Sequence, residues 1–239
     1  MLHIERSSVT GRFLVKSKST NHNYFEAGGI QADWLAGLIA ADGCIHKNKR
    51  QWSLSQSGDS GLKLVSQVAK IIDYEGKIYR TSTSGNPAHS ITVTSPKMIN
   101  DLKEIYSVGP QKTLTLEWPK LEGERAAAYL RGYVDGDGCV GVYNVGRSPT
   151  MLSISLVATE DFVLGAENVI PPGYRLNRIA RCKNLFDLRW NGRKAYYAGN
   201  WIYVHEDGLP MTKKSERFLG YGSEISGREP RWYIKEVLS

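Results

Sequence analysis

The spacing of apolar and polar residues changes period in a fixed order along this chain, and the order occurs twice. Between Gln31 and Ala41 apolar and small residues run almost unbroken, with Asp33 near the start and Gly43 just past the end. This predicts a compact helix with a start signal and a glycine stop. Period two follows. Cys44 to His46 and Gln51 to Gln56 predict two strands, joined by the basic turn Lys47, Asn48, Lys49, Arg50. In the second strand Trp52 and Leu54 face one way, and Gln51, Ser53 and Ser55 the other. Leu62, Val65, Val68, Ala69 and Ile72 return to helical spacing. Lys77 to Thr81 and His89 to Thr94 predict a second strand pair around Ser84, Gly85, Asn86 and Pro87, with Ser90, Thr92 and Thr94 opposite Ile91 and Val93. A short helix from Pro96 to Tyr106 closes the unit.

After a connection over residues 108–121, broken by Gly109, Pro110 and Pro119, the order recurs. A helix is expected from about Glu124 to Gly136, strands at Cys139 to Asn144 and Met151 to Val157, and a helix from Glu160 to Val169. Strands near Tyr174 to Ala180 and Asn184 to Trp190 and a helix from about Lys194 to Val204 complete it. The predicted fold class is α+β: two pseudo-twofold-related αββαββα halves, each an antiparallel four-stranded sheet with helices on one face. The halves span residues 31–107 and 122–239, the second with a basic C-terminal tail, and residues 1–30 form a polar N-terminal arm carrying Lys16, Lys18, Asn21, His22 and Asn23. Such sheets leave one face open. Here that face is rich in Ser, Thr, Gln, Asn, Lys and Arg; in the last strand Arg181, Lys183, Asp187 and Arg189 share one parity, and Phe186, Leu188 and Trp190 the other.

The two leading helices also repeat letter by letter: LAGLIAADG from Leu35 to Gly43, and LRGYVDGDG from Leu130 to Gly138. Asp42 and Asp137, the acids before the final glycines, lie 95 residues apart, the length of a small domain. Ala36, Gly37, Ala40 and Ala41 in one copy, and Gly132 and Gly136 in the other, place small residues on one helix face and let two backbones approach closely. An interior glycine costs a helix roughly 1 kcal/mol against alanine, so close contact must offset that cost. Packed side by side, the helices bring Asp42 and Asp137 together at the negative ends of two macrodipoles, an unfavourable place for acids. A divalent cation reverses that sign. Two carboxylates with the last helical carbonyls, at Ala41 and Gly136, make a hard-oxygen site suited to Mg²⁺ beside a phosphodiester.

Charge and composition narrow the partner. The formal net charge is +7, which favours an anionic partner, nucleic acid first. The three cysteines form no CxxC pair, which argues against a disulfide scaffold or zinc ribbon; Cys44 and Cys139 hold one repeat position. No apolar run approaches the ~20 residues of a membrane span, and MLHIERSSVTGRF lacks a secretory apolar stretch, so an intracellular location, cytoplasmic or organellar, is expected. His3, His22, His46, His89 and His205 show no HxxxH or HExxH spacing, and no P-loop or dinucleotide glycine pattern occurs.

The doubled motif resembles the LAGLIDADG homing endonucleases, in the single-chain form with two motifs, from about Tyr24 to Phe218. GPQKTLTLEWP (Gly109 to Pro119) resembles the segment linking the halves of that family, and KAYYAGNWIY with LPMTKKSERF its closing helix and basic tail. The resemblance implies a monomeric, site-specific, intron-encoded nuclease whose two sheets form a saddle over a long double-stranded DNA target. It implies Mg²⁺-dependent hydrolysis across the minor groove with short 3′ overhangs, using two or three ions, with Mn²⁺ as a substitute and Ca²⁺ supporting binding without efficient cleavage. It implies metal-ligand roles for Asp42, Asp137 and the Ala41 and Gly136 carbonyls, and active-site lysines at Lys112 and Lys214, with Lys213 the rival to the latter. Expected DNA contacts are Lys47, Lys49, Arg50, Gln51, Ser53, Ser55, Arg80, Asn144, Arg147, Ser153, Ser155, Arg181, Lys183 and Arg189. Two departures stand out. Ala40 replaces the earlier acid that Asp135 keeps, and Arg131 replaces a small residue, predicting an asymmetric helix interface. An RNA maturase on the same scaffold and a DNA-binding regulator without cleavage are the rival readings; the chain's ends lack the nucleophile start and His-Asn finish of an intein.

Overall fold

The uninterrupted apolar stretch of each motif becomes a helix buried on all sides, and the rest of the fold is wrapped around that pair. The structure is a computed structural model that describes residues 4–6, 13–15, 19–47, 50–83, 86–143, 151–182, 184–203 and 208–226. A small antiparallel pair, β1 (Ile4–Arg6) and β2 (Phe13–Val15), precedes a single turn of helix, α1 (Tyr24–Ala27). The first half then runs α2 (Ile30–Asp42), β3 (Gly43–His46), β4 (Gln51–Ser57), α3 (Gly58–Ile71), β5 (Tyr79–Thr83), β6 (Asn86–Thr94) and α4 (Pro96–Tyr106). A short α5 (Lys112–Thr115) lies in the connection. The second half runs α6 (Gly123–Asp137), β7 (Cys139–Tyr143), β8 (Met151–Thr159), α7 (Glu160–Ala166), β9 (Arg175–Arg178), β10 (Leu185–Asn191) and α8 (Arg193–Tyr203), followed by α9 (Lys213–Ser226).

Both sheets are antiparallel and have the same order, β3-β4-β6-β5 and β7-β8-β10-β9. The α+β class and the doubled αββαββα order are as the sequence predicts. The local reasons are legible. Ser95 caps α4 by accepting the Met98 N–H at 3.2 Å, with Pro96 at the first helical position, and Thr159 caps α7 through the Phe162 N–H at 3.2 Å. In β4 and β10 the apolar parity is buried: Trp52 and Leu54 in one, Phe186, Leu188 and Trp190 in the other.

Three segments depart from expectation. Residues 19–28, drawn within the arm, are part of the first half's body. The Asn21 N–H donates to the Ile72 carbonyl at 2.8 Å, and Tyr24 and Phe25 are buried, Phe25 edge-on to Tyr106. Lys16 and Lys18 lie outside the described residues. β6 starts at Asn86 rather than His89, so Asn86 and Pro87, expected in the turn, belong to the strand; Ser84 and Gly85 lie outside the described residues. The basic tail begins as a helix: in α9, Ser215, Phe218 and Tyr221 turn inward at helical spacing, and Phe218 fills the space above Gly199, where a Cβ would come within 2.1 Å of its ring.

The buried side chains form one core shared by both halves. Tyr106 stacks on Tyr129 across the boundary, Tyr129 meets Trp118 edge-on, and Trp118 meets Phe162 in the same way.

Candidate active site at the paired helix ends

The centre of the molecule is the contact between α2 and α6, from Ala32 to Ala41 and from Ala126 to Asp135 buried throughout. Gly37 and Gly132 occupy equivalent motif positions and make equivalent contacts. A Cβ on Gly37 would lie 2.0 Å from the Tyr129 carbonyl oxygen, and one on Gly132 1.9 Å from that of Trp34. The helices therefore meet backbone to backbone, and the glycines are there because nothing larger fits. At the opposite ends from the acids the pair is tied by charge. Arg125 donates to both carboxylate oxygens of the fully buried Asp33, at 2.9 and 2.8 Å, and the Tyr106 hydroxyl donates to Asp33 at 2.9 Å.

Arg131 is buried, donates to the Pro210 carbonyl at 3.0 Å and lies over the Tyr203 ring. It thus ties α6 to the chain that leads into α9. Asp135 beside it accepts from the Trp34 indole at 3.0 Å and the Thr212 hydroxyl at 2.7 Å. Ala40, the equivalent position in α2, carries no such network. The asymmetry lies in these side-chain networks, one of which crosses to Trp34 of α2, and the glycine contact stays symmetric.

At their C-terminal ends the helices bring Asp42 and Asp137 together. A Cβ on Gly136 would touch the Ala41 methyl at 2.5 Å and lie 3.3 Å from the Asp42 carboxylate, so that carboxylate rests against the last turn of α6. Burial raises the Asp42 carboxyl above the usual range; a hydrogen bond from the Gln56 amide lowers it, the Asp137 carboxylate raises it, and Lys214 lowers it. Two lysines cover the carbonyls beside the acids. The Lys112 ammonium donates to the Ala41 carbonyl, and the Lys214 ammonium to the carbonyls of Val134 and Asp135, each at 3.0 Å, and of Gly136. Burial pushes both ammonium groups below the ordinary lysine range, against the pull of the acids. Of the two rival lysines, Lys214 reaches the helix end while Lys213 is exposed and lines the adjoining cleft.

Gln56 was not anticipated from the sequence. It shares the parity of Trp52 and Leu54, and a polar residue on the buried face of a strand is the signal that marks it. Its counterpart follows from register. Cys44 pairs with Ser53 and Cys139 with Ser155, so the place of Gln56 is taken in the second half by Ala158. Two clefts flank the helix ends, one containing Gln56 and Lys214, the other Ala158, Asp137 and Lys112.

This donor set suits a hard divalent cation. Ala41 and Gly136 carbonyls already attract ammonium cations, and two carboxylates share the spot. Among the described residues no group of three or more His, Cys, Asp or Glu could cage a metal. Two acids plus carbonyls, completed by water and substrate phosphate, is the pattern of Mg²⁺ rather than of Zn²⁺ or a full calcium cage.

The open sheet faces start at this site, because β3 and β7 follow directly after the acids. In the first half, Gln51, Ser53 and Ser55 line that face; Gln51 donates to Thr94 at 2.8 Å, and the His46 ring lies 3.0 Å from the Ser53 hydroxyl. Lys47 and Arg50 are exposed in the turn. Arg80 is exposed but pairs with His89 opposite Gln56, on the helix-side parity and not on the open face. In the second half Ser155 and Arg189 lie on the open face, and Ser153 lies there too but is buried. Arg181 is exposed in the turn before β10. Lys49, Asn144, Arg147 and Lys183 fall outside the described residues. Register adds Thr92 and Thr94 in the first half, and Arg175, Asn177 and Asn191 in the second, to the open faces.

Residues 29–106 match the family model described as a LAGLIDADG-like domain. No curated protein matches the chain in sequence. Solved structures with the same fold include the meganuclease I-SmaMI bound to uncleavable DNA, 12% identical with a TM-score of 0.57, over 82% of this chain and 90% of that one. The LAGLIDADG homing endonuclease I-LtrWI bound to target DNA is 11% identical with a TM-score of 0.54, over 87% and 92%. The LAGLIDADG meganuclease I-AabMI bound to uncleaved DNA is 13% identical with a TM-score of 0.54, over 84% and 92%. Among the described residues no helix is long and apolar enough to cross a membrane. With its two motif helices packed through Gly37 and Gly132 and their acids meeting at one point, this chain carries a LAGLIDADG-like domain over residues 29–106 and shares over most of its length the fold of these two-motif meganucleases.

Proposed function

We propose that the chain is a monomeric, site-specific endonuclease that hydrolyses both strands of a long double-stranded DNA target. The observation that carries this reading is the meeting of Asp42 and Asp137, with a half-buried lysine on the carbonyl beside each, at the point from which two polar sheet faces extend. Asp42, Asp137 and the Ala41 and Gly136 carbonyls would hold Mg²⁺, which supplies Lewis acidity towards the phosphoryl oxygen and a hydroxide at neutral pH. The chain's own residues do the rest. Gln56 fixes the orientation of the Asp42 carboxylate. Lys112 and Lys214 set positive charge where negative charge grows on the phosphoryl oxygens and the leaving group. A water oxygen bonds to phosphorus, the bond from phosphorus to O3′ breaks, and O3′ takes up a proton. The products are a 5′ phosphate and a 3′ hydroxyl, staggered across the minor groove as short 3′ overhangs.

The test is a cleavage screen of a randomised duplex library with Mg²⁺. Recovery of one long sequence family cut on both strands is the expected result; no cutting of any duplex by folded protein would sink the proposal. Ca²⁺ should support binding with little cutting. On the recovered target, Lys112→Met or Lys214→Met should slow cleavage about 10²-fold, the usual loss for one charge-stabilising donor, with binding little changed. Because each lysine covers the carbonyl beside one acid, nicked DNA should accumulate. Equal loss on both strands in each variant would contradict the assignment of one lysine to one site.

A further inference from the structure

A cleft at the outer end of the second sheet gathers Gly173, Arg175, Arg189, Asn191, Arg193 and Lys194. Two placements in it are unfavourable as they stand, and the backbone beside them leaves room for a lysine. Arg175 and Arg189 are direct cross-strand partners on β9 and β10, and like charges opposite one another repel. Arg193 and Lys194 open α8 with no acid in its first turn, setting cations at the positive end of a helix dipole. Gly173 has φ of +88°, and a Cβ there would come within 2.6 Å of the Lys194 side chain, so the backbone is shaped to let that lysine lie across it. Asp187 lies 3.2 Å from Arg189. One bound oxyanion would relieve both placements together.

We propose that this cleft is a phosphate clamp that grips one backbone phosphodiester of the DNA flank on the second half's side. The inference rests on the DNA-binding part of the proposed function and not on cleavage. Arg175, Arg189 and Asn191 lie on the open-face parity, which favours a duplex phosphate over a free anion. Arg189 and Asn191 stand four and six residues along β10 from Leu185, which lines the cleft of Asp137. Arg189 pairs with Ser155, which pairs with Cys139 just past Asp137, so the cleft lies two strands across the second sheet from the start of β7. The first half carries less of this charge: the β5–β6 register continued by two residues sets Lys77 in the place of Arg175. Thr92, Thr94 and Pro96 take the places of Arg189, Asn191 and Arg193, Ser95 caps α4, and Lys97, in the place of Lys194, is neutralised by Asp101 at 2.8 Å and Glu26 at 3.1 Å. The grip is therefore one-sided.

The test uses the full chain, Ca²⁺ and a duplex recovered by binding selection. Arg175→Ala combined with Lys194→Ala should weaken binding about tenfold and lower the salt slope by about one, the loss of one neutralised phosphate. Lys97→Ala should change neither. Neutral methylphosphonate scanned along both flanks should weaken the unaltered protein at one or two positions on one flank, and the double variant should be indifferent at those positions. Equal sensitivity of both proteins, or loss on both flanks alike, overturns the clamp while leaving the proposed function standing. Inorganic phosphate that binds the unaltered protein but not the double variant, with DNA binding unchanged between them, reassigns the cleft to a free anion and overturns it too. A protein that binds no duplex overturns both readings.

Discussion

Asp42→Asn and Asp137→Asn, made singly, are each expected to reduce double-strand cleavage by at least about 10³-fold, and to leave DNA affinity in Ca²⁺ within a few-fold of the parent. The size follows from the removal of one of two carboxylates in a site with no third acid among the described residues, where a metal's charge stabilisation is worth several kcal/mol. The same substitution separates chemistry from folding. Burial and Asp137 raise the Asp42 carboxyl, so its ionisation weighs against the folded state at neutral pH. The sign is fixed: that penalty is full above the raised folded-state value, and it disappears as pH falls towards the unfolded value. Asp42→Asn removes it, so the melting temperature at pH 7 should stay level or rise while activity disappears. Gel assays of both strands and a thermal melt on one preparation suffice. Full cleavage by either variant would end the metal-ligand assignment. A sharp fall in melting temperature would show the acid to be structural.

The second large effect is on stability. Gly37→Val or Gly132→Val should cost about 3 kcal/mol or more and lower the melting temperature by roughly 6–12 °C for a domain of this size. A Cβ at either position would sit about 2 Å from a carbonyl oxygen of the facing helix, and backbone, unlike a side chain, has no rotamer into which to retreat. Gly109, where a Cβ meets nothing within 4 Å, provides the comparison: Gly109→Ala should be close to neutral. Chemical denaturation of the three variants tests this directly. If Gly37→Val melts with the parent, the backbone-to-backbone contact is wrong.

Much of this was written in the motif. Duplicated helices with glycines at matching positions, each ending in an acid before glycine, specify a close helix pair and a shared pair of carboxylates almost independently of the rest. The sheets were legible because Trp52 and Leu54 alternate cleanly with polar residues. What the chain hid depends on register or on distant packing. Gln56 reaches Asp42 only because β4 runs back past the end of α2, and a linear scan reads it as one more polar strand residue. Arg80 is an expected DNA contact, and its pairing with His89, which only register reveals, sets it on the helix-side parity. In α9 the basic letters of KKSERF masked an apolar stripe that needs Gly199 to receive Phe218. Tyr24 and Phe25 were lost in a polar neighbourhood, although two adjacent large rings were reason enough to expect burial.

The contact between Gly37 and Gly132 also acts as a ruler. Where helices are spaced by interlocking side chains, each core substitution moves them a little. Here covalent backbone geometry sets the separation, so the spacing of Asp42 and Asp137 belongs to the scaffold and not to the sheet faces. On the proposed function, residues on the sheets can therefore be exchanged to retarget the protein while the stagger of a cut stays constant, and the two halves can be tuned separately so long as neither glycine gains an atom.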